Sequence, residues 1–220
     1  MARRPHPRPV TDQISELTTA RLSIYLRCLE ALEIAGVKTV SSLALAEQFH
    51  LNAAQIRKDL AYFGEFGIRG VGYYVKDLKR HLREILGLDR AIKVVILGAG
   101  NLGLALADYA GFRDDGFDIV ALFDIMREKI GGYSKSGVPI RSLRDLERVA
   151  EREHVEIAVN AVPAAAAQAV VDLATTAGIK AILNFSPAPI RVSRGVKLKN
   201  VDLTVSLESL SFYLAQGREE

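Results

Sequence analysis

The feature that most constrains this chain is Gly98-Ala99-Gly100-Asn101-Leu102-Gly103, three glycines spaced GxGxxG directly behind a continuous apolar run at 94–97. An apolar run of that length without alternation is expected of a strand covered on both faces. Ile92 and Lys93 would begin it at an exposed end, and a helix is predicted over 101–110. In that setting each glycine has a physical task. Gly98 allows the tight turn, Gly100 lets the backbone approach a pyrophosphate, and Gly103 lets the helix pack on the strand. The unpaired N–H groups at the helix start then favour a phosphate. Asp124 closes the next predicted strand (117–123, VALFD), 24 residues beyond Gly100 and near the ~20 expected of the acidic residue that meets a ribose. Its carboxylate would accept from the adenosine ribose hydroxyls and repel a 2′-phosphate. That favours NADH/NAD⁺ over NADP(H), with Arg127 nearby as a complication.

The rest of the second half continues the rhythm. Helix 142–152, strand 155–160, helix 164–177 and strand 180–185 alternate, as in a doubly wound parallel sheet. Residues 196–198 can add an edge strand. Asn160-Ala161-Val162-Pro163 leaves a strand at the same carboxyl edge, where ligands of such sheets bind. Ala161, Val162 and Pro163 are therefore candidates for the nicotinamide side, and equally read as an ordinary strand-to-helix turn with Pro163 near the first helical position. A last helix over 204–216 carries Leu207, Leu210 and Leu214 behind Leu203, a 4-3-4 apolar stripe.

The first half has a different pattern. Leu22, Leu26, Leu29 and Leu32 step at helical spacing until Gly36. A short helix fits 41–49, capped by Ser41 or Ser42, with Leu43, Leu45, Ala46 and Phe49 inward. Asn52 caps a third, 53–63. Two short helices joined this closely form a helix-turn-helix. Gly64, Gly67, Gly70 and Gly72 followed by Tyr73-Tyr74-Val75 predict a β-hairpin wing, and a fourth helix follows over 77–86. On the third helix Ile56, Leu60 and Phe63 form the core face. Lys58 then projects opposite it, between Ala54 and Ala61, with Gln55 and Tyr62 to one side and Arg57 to the other. That donor-rich face suits a DNA major groove. Arg69 and Gly70 form the wing tip, where an arginine suits a narrow minor groove. Asp59 argues against DNA contact and is expected to pair with a cation such as Arg21.

Charge agrees with this division. Residues 1–90 carry 14 Lys+Arg against 10 Asp+Glu, while 91–220 carry 15 against 16. An acidic polymer would meet the first half. A single cysteine, Cys28, excludes an internal disulfide and fits a cytoplasmic location. No apolar run is long enough for a membrane span, and the scattered histidines have no metal-ligand spacing. The domains are thus a basic arm (1–12), a winged-helix DNA-binding domain (13–88), a Rossmann NAD(H)-binding domain (89–202) and a C-terminal dimerisation helix (203–220).

With these motifs placed, the chain resembles the Rex family of redox-sensing transcriptional repressors over nearly all of 18–216. The resemblance is carried by IRKDLAYFG (56–64), GIRGVGY (67–73), GAGNLG (98–103), NFSPAP (184–189) and NVD (200–202). It implies a homodimer with exchanged C-terminal helices, release of double-stranded operator DNA by NADH, and no catalysis. It also implies a switch in which Asp202 changes partner between Arg27 and Tyr109. Two departures stand out: Ser186, where family sequences often read NFAP, and Leu203, where an aromatic follows the NVD aspartate in relatives and would strengthen a nicotinamide contact. Two other classes compete. An NAD-dependent oxidoreductase would need a substrate domain, yet only about 35 residues follow the last central strand, and His154 lies at the wrong end of the sheet. A CoA- or nucleotide-binding module would leave the winged helix without a purpose.

Overall fold

The structure, a computed structural model, describes residues 14–216. The predicted basic arm at 1–12 lies outside the described residues. The chain divides into two compact units at Arg90/Ala91.

The N-terminal unit contains α1 (Glu16–Ile34), β1 (Thr39–Val40), α2 (Ser42–Phe49), α3 (Ala53–Phe63), β2 (Tyr73–Tyr74) and α4 (Val75–Ile85). Local chemistry starts its helices. Ser15, Ser41 and Asn52 each accept from the backbone N–H three residues on, at 3.0–3.1 Å, satisfying donors that a helix start leaves without partners. The apolar faces then close one core of Leu22, Tyr25, Leu29, Leu45, Ile56, Leu60, Leu78 and Leu82. Each such side chain contributes roughly 1.5–3 kcal/mol by leaving water.

Two expectations are corrected in this unit. Leu43 points outward and is 59% exposed, because Leu45 and Ala46 supply the inner face of a helix only two turns long. The wing is not an extended hairpin. Tyr73–Tyr74 pairs with Thr39–Val40 in β1, and Val75 already begins α4. The glycine segment contributes only a bridge between Ile68 and Gly72.

The C-terminal unit holds β3 (Ile92–Leu97), α5 (Asn101–Ala107), α6 (Ala110–Asp114), β4 (Phe117–Asp124), β5 (Ile140–Ser142), α7 (Leu146–Glu153), β6 (Ile157–Asn160), α8 (Ala164–Thr176), β7 (Ala181–Asn184), β8 (Lys197–Asn200) and α9 (Leu203–Gln216). The six strands are parallel in the order β5-β4-β3-β6-β7-β8. Counted within the unit this is 3-2-1-4-5-6, the Rossmann order, with the strand order reversing at β3. Along β3 the side chains alternate between two cores. Val95 and Leu97 join one with α7 and α8, while Ile92, Val94 and Ile96 join the other with α5.

Five details differ from expectation here. Ile92 is buried rather than at an exposed strand end. The helix predicted over 101–110 breaks at Asp108–Tyr109, where the Asp108 carboxylate accepts from the Ser136 N–H and Oγ, each at 2.8 Å. β5 was not foreseen, and the helix placed at 142–152 starts at Leu146 after a 3₁₀ turn over Leu143–Asp145. Finally, the edge strand runs Lys197–Asn200 instead of 196–198. Every residue of α9 is exposed, including all four leucines of its stripe.

Among the described residues no helix is long and apolar enough to cross a membrane, and no group of three or more His, Cys, Asp or Glu could hold a metal ion.

Candidate nucleotide cleft and DNA interface

The carboxyl ends of β3, β4, β6 and β7 open into a cleft of about 590 Å³, within the range of small-molecule sites. Gly98, Gly100, Asn101 and Leu102 line it from the first loop, Asp124 from β4, and Ala161, Val162 and Pro163 from the loop after β6. Two residues of the glycine motif serve from behind. Ala99 is buried, and its N–H donates to Asp124 at 2.9 Å. Gly103 is also buried, and a Cβ there would stand 1.9 Å from the Gly98 carbonyl oxygen.

The glycines divide into those the fold needs and one it does not. Gly98 has φ +102° and an added Cβ would sit 2.9 Å from the Ala161 carbonyl oxygen, so neither conformation nor space admits a side chain. At Gly100 a Cβ would meet nothing within 4 Å, and φ is −81°, open to any residue. The protein itself does not require glycine there. The bare backbone leaves room at the mouth of the cleft, which fits close approach of a pyrophosphate.

Asp124 is more heavily engaged than its place in the motif suggests. Oδ1 accepts from the N–H groups of Ile125 (2.8 Å) and Met126 (3.0 Å), while Oδ2 accepts from Ala99 and from Lys129 Nζ at 3.4 Å. Burial pushes its pKa up, and these donors outweigh burial, so the carboxyl stays below its usual range. Arg127, flagged from sequence as the cation nearby, is exposed and does not line the cleft; Lys129 does. No short-range pattern identifies Lys129, five residues past the strand end.

The far end of the cleft is lined by Phe185, Ser186 and Pro187. Beneath them Asn160, Asn184 and Asn200 stand in register at the ends of β6, β7 and β8. The Asn160 amide donates to Asn184 Oδ1, and the Asn184 amide donates to Asn200 Oδ1 and to the Ser186 carbonyl, at 2.8–2.9 Å. This ladder, buried at Asn160 and Asn184 and exposed at Asn200, pins the loop after β7. A period-2 reading registers only strand ends there, so sequence reasoning missed it.

In the N-terminal unit Lys58 and Tyr62 are exposed on α3, flanked by exposed Ala54 and Ala61. Arg57 is exposed and donates to Ser42 Oγ at 2.9 Å. Gln55 has a different task from the one expected: it is half-buried, and its amide donates to Asp59 Oδ1 at 2.7 Å. Arg69 and Gly70 occupy the exposed tip of a tight turn closed by Val71 N–H to Ile68 C=O at 3.0 Å. Gly70 there has φ +82°, the third-position requirement of a type II turn.

Asp59 anchors this face from inside. It is 4% exposed and accepts from Arg21 (2.6 and 2.8 Å), Tyr25 (2.9 Å) and Gln55. The expected pairing with Arg21 is therefore present. The Arg21 hydrogen bonds, aided by Gln55 and Tyr25, hold the Asp59 carboxyl below its usual range against burial. Burial and the Asp59 contact push the Tyr25 phenol up to about 12. A carboxyl whose folded pKa is lowered adds stability above its unfolded value and loses it as pH falls through the folded one. The Asp59 contribution is thus full at neutral pH and fades in acid, below about pH 4. Asp59→Ala should cost about 2–3 kcal/mol at pH 7, because it strands the Tyr25 hydroxyl in the core. The difference between wild type and variant should shrink on acidification. Urea melts at pH 7 and pH 3.5 test this, and equal differences at both would contradict it.

Of the three residues expected to form a switch, Arg27 is exposed on α1. Tyr109 is 61% exposed and sits edge-on to Phe112. Asp202 accepts from the N–H groups of Thr204 (2.9 Å) and Val205 (3.3 Å), capping α9.

Comparison with known proteins decides the family. Residues 89–188 match a family described as "CoA binding domain", and residues 13–61 one described as "Putative DNA-binding protein N-terminus". The chain is 53% identical to the redox-sensing transcriptional repressor Rex of Syntrophomonas wolfei, over 92% of this chain and 96% of that one. It is 47% identical to Rex of Desulfitobacterium hafniense, over 94% and 99%. The chain belongs to the Rex family. Among solved structures, the Rex-family repressor RSP in complex with β-NAD⁺ and operator DNA matches with a TM-score of 0.88 at 38% identity, covering 93% of this chain and 94% of that one. RSP in complex with β-NADH matches with a TM-score of 0.83 at 37% identity, covering 94% and 96%. Rex relatives are named as transcriptional repressors, which accounts for a DNA-binding unit joined to a Rossmann unit in one chain.

Proposed function

We propose that this Rex-family protein is a repressor that holds operator DNA through α3 and the 68–72 turn and lets it go when NADH fills the cleft, so that DNA occupancy follows the NADH/NAD⁺ ratio. The observation carrying this reading is the match over 93% of the chain to RSP bound to NAD⁺ and operator DNA, on a cleft whose Gly100 is left bare for a ligand. Lys58 and Tyr62 would face the major groove and Arg69 the minor groove, with Arg57 positioned beside them and Gln55 supporting the helix through Asp59. Gly98 to Gly103 would hold the pyrophosphate, Asp124 the adenosine ribose, and Ala161 to Pro163 the nicotinamide side.

The same reading assigns the ligand a signalling and not a chemical role. Asp124 and Lys129 are the titratable side chains among the described residues lining the cleft, and they neutralise each other. Neither is poised as a general acid or base. A cytoplasmic homodimer follows from the partner: operators are read as two half-sites by a two-fold protein, and α9 is the surface that would join the copies, with exchange of these helices between subunits. Asp202, Arg27 and Tyr109 would then form the coupling switch.

The test is a gel shift on operator DNA with NADH, NAD⁺ and coenzyme A as competing ligands. NADH should release the DNA, NAD⁺ should compete with NADH without releasing it, and coenzyme A should do neither. A ligand shifts the equilibrium only through its differential affinity for the two states. Equal release by NADH and NAD⁺ would sink the redox reading, and release by coenzyme A alone would favour the nucleotide-module alternative. Lys58→Ala and Arg69→Ala should each weaken operator binding on the order of tenfold with NADH binding unchanged. If Lys58 meets a phosphate, the salt slope falls by about one unit.

A further inference from the structure

The glycine loop leaves β3 with Asp124 of β4 on one side and the ends of β6 and β7 on the other, because the strand order reverses at β3. A dinucleotide with its pyrophosphate on that loop and its adenosine ribose at Asp124 therefore sends its nicotinamide toward β6 and β7. The wall there is apolar, made of Ala161, Val162, Pro163, Phe185, Pro187 and the α8 side chains behind them. Among the described residues of that wall, Ser186 has the one side chain that can form a hydrogen bond.

Two side-chain atoms around the asparagine ladder are buried without a hydrogen-bond partner among the described residues: Asn160 Oδ1 and Ser186 Oγ. Asn160 lies wholly inside and does not line the cleft. Ser186 is 6% exposed and does line it. A buried hydroxyl without a partner is costly, so it needs a reason. The backbone cannot swing this one away to find a partner. The Ser186 N–H donates to Asn184 Oδ1 at 3.1 Å, and its carbonyl accepts from the Asn184 amide at 2.9 Å. The ladder thus holds Ser186 in place while leaving its hydroxyl uncommitted.

The nicotinamide ring carries a carboxamide, with an NH₂ donor and a carbonyl acceptor like those of an asparagine side chain. Against an apolar wall those groups lose water and must pair with the protein. A serine hydroxyl both donates and accepts, so it can pair with a carboxamide.

We propose that Ser186 Oγ is the side-chain anchor of the nicotinamide carboxamide, pairing with it when the ligand enters and fixing the ring at the β7 end of the cleft. The proposal rests on reading the cleft as a dinucleotide site.

The experiment is calorimetric titration of the full-length protein with NADH and with ADP-ribose, for wild type and Ser186→Ala, alongside thermal melts without ligand. ADP-ribose keeps the adenosine, the pyrophosphate and the second ribose and lacks the nicotinamide. The Ser186→Ala melt should match or exceed that of wild type, since the substitution removes a hydroxyl that bonds to nothing in the protein. Its NADH affinity should fall about fivefold to tenfold, as for the loss of one neutral hydrogen bond, with ADP-ribose affinity unchanged. Unchanged NADH affinity, an equal loss for both ligands, or a lowered melting temperature in the variant overturns the proposal. Wild-type protein that binds NADH no more tightly than ADP-ribose also overturns it, while the dinucleotide reading stands. Wild-type protein that binds neither ligand would overturn both.

Discussion

Gly103→Val should abolish NADH binding, with at least a hundredfold loss of affinity, whereas Gly100→Ala should leave the fold intact and still cost about ten- to a hundredfold. The two glycines lie three residues apart in one motif and fail for different reasons. At position 103 the first side-chain carbon would stand 1.9 Å from the Gly98 carbonyl oxygen and 3.3 Å from the Ile96 side chain. Both the oxygen and the helix are backbone, so α5 must leave β3 and the loop that shapes the cleft goes with it. Overpacking of this kind also destabilises, by about 1–3 kcal/mol or more. At position 100 nothing in the protein lies within 4 Å of the added carbon. The clash arises only when a pyrophosphate approaches the backbone. Thermal melts without ligand should therefore show a loss for Gly103→Val and none for Gly100→Ala, while NADH titration shows a loss for both. Gly100→Ala binding NADH like wild type would mean that the ligand does not approach this loop.

Removing α9 should convert the proposed dimer into monomers or aggregates and lower operator affinity at least a hundredfold. Leu203, Leu207, Leu210 and Leu214 are 60–70% exposed, as are Phe212 and Tyr213. A contiguous apolar face of this size marks an interaction surface, and the proposed occupant is the second subunit. Truncation after Asn200 removes the face entirely. Leu207→Glu with Leu210→Glu keeps the chain length and buries two charges in any interface, so it should act in the same direction. Operator affinity falls because the two half-sites are no longer held at high effective concentration by one molecule. Light-scattering mass and gel-shift affinity are the two readouts. A dimer retained in both variants would place the subunit interface elsewhere and leave α9 as a docking face for another partner.

The sequence by itself determined whatever depends on neighbours a few residues apart. Ser41 and Asn52 cap helices because a side-chain oxygen reaches the N–H three residues on. Gly98 and Gly103 are legible because a strand-turn-helix of that length leaves no space for a side chain. The parallel sheet is legible because buried strands alternate with helical stretches. Even the Arg21–Asp59 pair could be foreseen, since a carboxylate at the core edge of α3 needs a cation.

Tertiary structure alone decided the rest, because the partners lie far apart in the chain or their directions depend on packing. Gln55 turns inward since Asp59 is held there by Arg21, 38 residues away in sequence. Tyr73 and Tyr74 join β1 instead of the adjacent glycine segment. Asp108 ends α5 because Ser136, 28 residues further on, offers it donors. Lys129 faces Asp124 through a turn that no periodic pattern marks. Hydrophobic periodicity records which face of an element is covered. It carries no information on which distant polar group will satisfy a buried donor or neutralise a buried charge.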